Sequence, residues 1–213
     1  VDSFAVLGKA VLLLCGLGVA LGFGAARGYK FWLLVAASTL GGMLMVASAG
    51  FATLFLGIEL LSLPAFALIV HGQGRSAASE GAFKYLVLSS VASALVLFGI
   101  SIAYGLSGTL LTVAWAHDFA YGGLQAKAAG LLVIAGLFLK AAVFPFHAWA
   151  PDAYAAARLP VTALMASLAL LATTNHVCQD VAVIPFLWVL PLSLYLVSFI
   201  ICFDHPRWYR RAV

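Results

Sequence analysis

The chain alternates between long apolar runs and short polar breaks. Seven apolar segments stand out by length and punctuation, at residues 4–23, 31–48, 51–70, 82–105, 128–147, 160–174 and 183–203. About twenty apolar residues in helical form cross a bilayer, so each run predicts a membrane-spanning helix, the sixth being short for one. The second and third runs are separated only by Ser-Ala-Gly, which requires a tight turn. The breaks hold glycine, proline and the few charges. The longest, "LSGTLLTVAWAHDFAYGGLQAK", carries Trp115, His117, Asp118 and Tyr121 and predicts a short amphipathic helix along the interface, its aromatics at headgroup level. The expected architecture is all-α, a polytopic transmembrane bundle of about seven spans.

Composition agrees. Hydrophobic residues make up 65% and charged residues 8% of the 213 positions, too few polar groups to cover a water-facing globule. The net charge of +4 does not point to nucleic acid, because the basic residues lie in short loops and at the C-terminus. Alternate loops and the C-terminus hold Arg27, Lys30, Arg75, Arg158, Arg207, Arg210 and Arg211, whereas the opposite loops hold only Lys127. That asymmetry predicts a cytoplasmic C-terminus. Cys15, Cys178 and Cys202 sit in or beside apolar runs without metal-ligand spacing and read as small apolar fillers. The opening residues lack a charged region followed by a cleavage site, and read as the middle of a longer chain rather than a signal peptide.

Against this background four ionisable residues lie within the spans: Glu59, Lys84, Lys140 and His147. A charge at the bilayer centre costs roughly 2.5–3.5 kcal/mol on insertion scales, so each such residue needs a partner or a hydrated cavity. Lys9, near the end of its segment, reads as a lysine that snorkels to the interface. Glu59 is followed by Pro64 and Lys140 by Pro145, which would deprive Leu60 and Ala141 of their helical N–H partners. Two buried charges, each beside a proline-opened turn, predict helix breaks that line a hydrated cavity. His147 falls seven residues after Lys140, nominally on the same face. An acid, two amines and an imidazole in an apolar bundle form a set of proton-accepting sites. No phosphate loop, GxSxG or Cys/His cluster is present in the sequence.

The segments "FLGIELLSLPAFAL", "FKYLVLSSVASALVLFGISIAYGLSGTL" and "GLFLKAAVFPFHAWAPDAY" followed by "LPVTALMAS" resemble the antiporter-like, proton-pumping membrane subunits of NADH–quinone oxidoreductase (complex I), of the subunit N or mitochondrial subunit 2 type. The resemblance covers about residues 1–168, matching the family's third to eighth helices, and implies a proton path through Glu59, Lys84, Lys140 and His147, helix breaks at Pro64 and Pro145, and pairing of Glu59 with Lys84. It also implies no cofactor in this chain, with NADH, flavin, iron–sulfur clusters and quinone in partner subunits, and a bacterial inner (plasma) membrane location beside the other membrane subunits. Family members carry two inverted repeats, of which this chain holds the first. Where the family has an acid and a proline after the fifth span, this sequence has Ala155 and Arg158. Residues 169–213 diverge and resemble the membrane region of spermidine-synthase-like fusion proteins. The aminopropyl transfer of that family would need a soluble cofactor-binding domain. A cation/proton antiporter component and a truncated or chimeric chain without transport activity are the alternatives.

Overall fold

The computed structural model describes residues 3–23, 28–71, 76–143, 145–158 and 161–166. Seven helices follow one another: α1 (Ser3–Phe23), α2 (Tyr29–Val46), α3 (Phe51–Val70), α4 (Ser76–Ser107), α5 (Thr112–Tyr121), α6 (Leu124–Lys140) and α7 (Ala150–Ala156). A further helical stretch occupies 161–166, and no strand occurs among the described residues. α2, α3 and the Ala78–Ser107 part of α4 are each long and apolar enough to cross a membrane. α1 and α6 are apolar helices packed beside them, α1 against α2 and α6 against α4. Of the remaining expected spans, 160–174 is described only at its start, and 183–203 lies outside the described residues.

Apolar character all round, rather than one greasy stripe, is what a helix needs when one face meets protein and the other meets lipid. Thus α4 buries Ala82, Tyr85, Ala92 and Val96 while Phe83, Val87, Val91 and Phe98 face outward. The helices approach closely where side chains are missing. A Cβ on Gly41 of α2 would lie 2.8 Å from the Cα of Leu61 in α3, and one on Gly136 of α6 would lie 2.7 Å from the carbonyl oxygen of Ala92 in α4. Small residues at such contacts let helix backbones touch and gain dispersion energy that lipid cannot match.

The expected tight turn between α2 and α3 is present. It is pinned to the segment before α5, where Phe51 N–H donates to the Leu110 carbonyl at 2.8 Å and Thr112 N–H to that of Ala49 at 3.3 Å. α5 is the short helix expected in the long break. Trp115 is only 3% exposed, packed edge-on against Phe51 and stacked on Phe119 at centroid distances of 5.5 and 5.4 Å. Its large apolar ring packs into the bundle, whereas Tyr121 is 81% exposed.

One of the two expectations about proline requires correction. Pro64 does not break α3, which runs unbroken from Phe51 to Val70. Pro64 deprives the Leu60 carbonyl of its helical N–H partner; the next two carbonyls accept from side chains of neighbouring helices, Leu61 from Ser38 Oγ–H at 3.1 Å and Ser62 from Tyr85 Oη–H at 3.4 Å, which tie this turn of α3 to α2 and α4. Near Pro145 the helix does break, but five residues earlier. α6 ends at Lys140, and Ala142 adopts the left-handed conformation, φ 54°. Val143 N–H bonds the Phe138 carbonyl at 3.0 Å and Ala142 N–H that of Leu139 at 3.4 Å, which together make a Schellman motif. Pro145 follows this cap and prevents the helix from resuming at once.

Candidate functional site

The site is assembled by α3, α4 and the end of α6. Glu59 occupies the middle of α3, and Lys140 is the last residue of α6. The break after Lys140 holds its side chain at the depth of Glu59, and the two charges face each other with Nζ and Oε1 3.5 Å apart. The Lys140 ammonium also donates to Ser62 Oγ on α3 at 2.7 Å and to Ser89 Oγ on α4 at 3.0 Å. An ammonium has three N–H donors, and three acceptors meet it here. Glu59 in turn accepts from Ser93 Oγ, one turn beyond Ser89.

Magnitudes show why this pair is tolerated. Two unit charges 3.5 Å apart attract by about 5 kcal/mol at an effective dielectric of 20. Bringing two lone charges to the bilayer centre costs roughly 2.5–3.5 kcal/mol each. Attraction and cost are comparable, and the three serine hydroxyls complete the compensation. The Lys140 side chain is 9% exposed and that of Glu59 29%.

Beside the pair lies a mostly apolar cavity of about 20 Å³, walled by residues such as Met45, Ile58, Leu137 and Met165, with Ser62, Tyr85, Ser89 and Lys140 as its polar members. That exceeds the space one water needs, and the lining hydroxyls and ammonium supply polar partners. Trp149 closes one side. Its ring lies 5.1 Å from that of Tyr85, and its Nε1–H donates to the Leu139 carbonyl at 2.7 Å, serving an acceptor at the end of α6.

Lys84 forms a second, separate station. The pairing of Glu59 with Lys84 is not what the structure shows: Lys84 Nζ meets Asp152 Oδ2 of α7 at 2.8 Å and Glu80 Oε1 at 2.8 Å. The reason is axial distance. Glu59 lies level with Ser93, and nine residues of helix put Lys84 about 13 Å further along α4. This second station is more open, with side-chain exposures of 43% for Lys84 and 24% for Asp152. Close packing brings it together, since a Cβ on Gly81 would lie 2.9 Å from the Asp152 carbonyl oxygen.

His147 lies beyond the helix end, in the turn that leads to α7, where its carbonyl accepts from Ala150 N–H at 3.0 Å. The shared helical face expected for Lys140 and His147 does not exist, because α6 stops between them. Among the described residues no group of three or more His, Cys, Asp or Glu is placed to hold a metal ion.

Sequence reasoning missed Asp152, Glu80, Ser62, Ser89 and Ser93. Asp152 offered a signal, a lone acid after a proline in an otherwise apolar stretch, and Glu80 stands four residues before Lys84, the spacing of a helical ion pair. The serines are common helix-packing residues in membranes, so nothing in their local sequence separates these three from the others.

An unbroken proline-bearing helix, a neighbour that ends at a lysine, and a glutamate paired with that lysine make a helical membrane bundle built around a buried ion pair. Residues 48–203 match the family model described as the membrane part of NADH:quinone oxidoreductase and Mrp antiporters, and the chain belongs to that family. It is 53% identical over 170 residues to NADH-quinone oxidoreductase subunit N of Pelobacter propionicus, an alignment covering 79% of this chain and 36% of the relative. It is 45% identical over 179 residues to subunit N 1 of Symbiobacterium thermophilum, covering 78% and 36%. Among solved structures, a chain of respiratory complex I from Thermus thermophilus matches with a TM-score of 0.77 and 31% identity, over 93% of this chain and 44% of that one. A chain of the Mrp complex from a Dietzia species shares the fold at a TM-score of 0.74 and 24% identity, covering 85% and 36%. The chain thus spans about a third of the length of the curated relatives it matches. The family match continues past Ser167, to residue 203.

Proposed function

We propose that this chain forms part of a subunit N-type membrane subunit of a proton-translocating NADH–quinone oxidoreductase. The observation that carries the reading is the Glu59–Lys140 ion pair at mid-membrane, beside a cavity that accommodates water. In it, Lys140 and Glu59 are the central proton-exchanging groups. Lys84, with Asp152 and Glu80, forms the station nearer one membrane surface, and His147 sits in the turn between Lys140 and α7. A proton arriving through the cavity neutralises the Glu59 carboxylate, a proton departing from the Lys140 ammonium neutralises the lysine, and either event removes the pair's attraction. Electron transfer takes place elsewhere: NADH, flavin, iron–sulfur clusters and quinone belong to partner subunits, and the neighbours of this chain are other membrane subunits and lipid. The membrane is the bacterial inner membrane, with the C-terminus cytoplasmic by its cluster of Arg207, Arg210 and Arg211. Residues 1–168 form the proton-conducting segment and 169–213 a separate C-terminal one.

A second reading, a cation/proton antiporter component, is favoured by the Mrp antiporters included in the family description. Purification of the full-length tagged subunit from native membranes decides between the two. The first reading expects it to arrive with other membrane subunits and with NADH-driven proton uptake in the derived vesicles. Sodium-dependent flux without NADH oxidation supports the second and sinks the first.

A further inference from the structure

The hydroxyl of Ser93 has two acceptors within reach and one proton to give. One acceptor is Glu59 Oε1, and the other is the carbonyl oxygen of Ser89 on its own helix, at 3.0 Å. Ser89 is the same residue whose side-chain oxygen accepts from Lys140 at 3.0 Å. The two charged groups are therefore tied to adjacent turns of α4 by two serines, while their direct separation is 3.5 Å. The facing side is supplied by Ser62, which accepts from Lys140 at 2.7 Å and donates its own proton to the Ile58 carbonyl.

We propose that Ser93 is a positioning residue that turns its hydroxyl proton between Glu59 and the Ser89 carbonyl as Glu59 loses and gains a proton. With Glu59 ionised, the carboxylate is acceptor-only and takes the Ser93 proton. With Glu59 protonated, the carboxyl has a proton to donate, Ser93 oxygen accepts it, and the Ser93 proton swings to the Ser89 carbonyl. No proton leaves Ser93 in either state. Glu59 thus keeps a hydrogen-bond partner throughout, and its carboxyl stays at the distance from Lys140 that the two serines set. The charged state alone receives the stronger, charge-assisted bond.

This inference rests on the proposed proton path, and the test separates the two. NADH-driven proton uptake is measured in vesicles holding the complete complex with Ser93→Ala, Ser93→Thr, or Lys140→Ala. The infrared carbonyl band of protonated Glu59, assigned by its disappearance in Glu59→Gln, is recorded in parallel. Ser93→Ala is expected to slow uptake by about tenfold, the scale of a lost charge-assisted hydrogen bond, and to move the Glu59 band to higher frequency. Ser93→Thr, which keeps the hydroxyl, is expected to retain uptake within about twofold and leave the band in place. Uptake and band unchanged in Ser93→Ala, with uptake lost in Lys140→Ala, overturn the role of Ser93 and leave the path standing. Uptake unchanged in Lys140→Ala overturns both.

Discussion

Lys140 is expected to be a poor residue to remove singly and a tolerable one to remove with its partner. In Lys140→Met the ammonium goes and a chain of similar length stays, so packing changes little. What remains is the Glu59 carboxylate at mid-membrane with Ser93 as its recorded donor. Removing one member of a buried pair costs about 3–5 kcal/mol, because the other is left uncompensated. Glu59 keeps its serine bond and is 29% exposed, which places Lys140→Met at the lower end, about 3 kcal/mol. Glu59→Leu leaves an ammonium that is 9% exposed but still held by Ser62 and Ser89, for a loss of about 3 kcal/mol as well. The double variant carries neither charge, and apolar replacement of a buried pair is near neutral, within about 1 kcal/mol of the parent. Unfolding of the full-length subunit by SDS in mixed micelles, run as a double-mutant cycle, measures the coupling directly. A coupling of about 5 kcal/mol or more is expected. Single variants each within about 0.5 kcal/mol of the parent, and additive, would refute the claim that these two side chains compensate each other.

Three further outcomes follow from the break after α6 and the second station. Ala142→Gly places at φ 54° the residue that adopts it without Cβ strain, so stability in the same assay rises by about 0.5–1 kcal/mol, and a loss would contradict the left-handed cap. Trp149→Phe keeps the ring against Tyr85 but removes the donor to the Leu139 carbonyl, for a loss of about 1–2 kcal/mol; no loss would mean that the indole bond is idle. Asp152→Asn changes stability by less than about 1 kcal/mol, since Lys84 is 43% exposed and keeps Glu80, so a larger loss would indicate a more enclosed site.

Much of this was legible in the residues, because a bilayer leaves so few options. Apolar length alone placed α2, α3 and α4, and the Ser-Ala-Gly break placed the turn between the first two. A glutamate and a lysine amid apolar residues announced themselves as groups that must find partners. Which partners they find is a matter of depth, and depth is set by where helices end. Lys140 reaches Glu59 because Ala142 stops α6 there, and an alanine in a left-handed conformation carries no local signal as a glycine would. Pro64 was misleading for the complementary reason: whether a proline breaks a helix depends on the packing around it, and here Ser38 and Tyr85 of other helices hold the turn before it. The pairing of Lys84 with Glu59 was implied by the family resemblance, whereas Lys84 meets Glu80 one turn away on its own helix and Asp152 through the packing of α7 on Gly81.

The central claim is that Lys140 carries the transported proton. Its most direct test is NADH-driven proton uptake in vesicles holding the complete complex, parent against Lys140→Ala, at equal complex content. The account predicts a loss of uptake of at least about tenfold, the effect of removing a site that every translocated proton must occupy. Uptake within about twofold of the parent would contradict it, and would leave the Glu59–Lys140 pair as a structural tie between α3 and the end of α6.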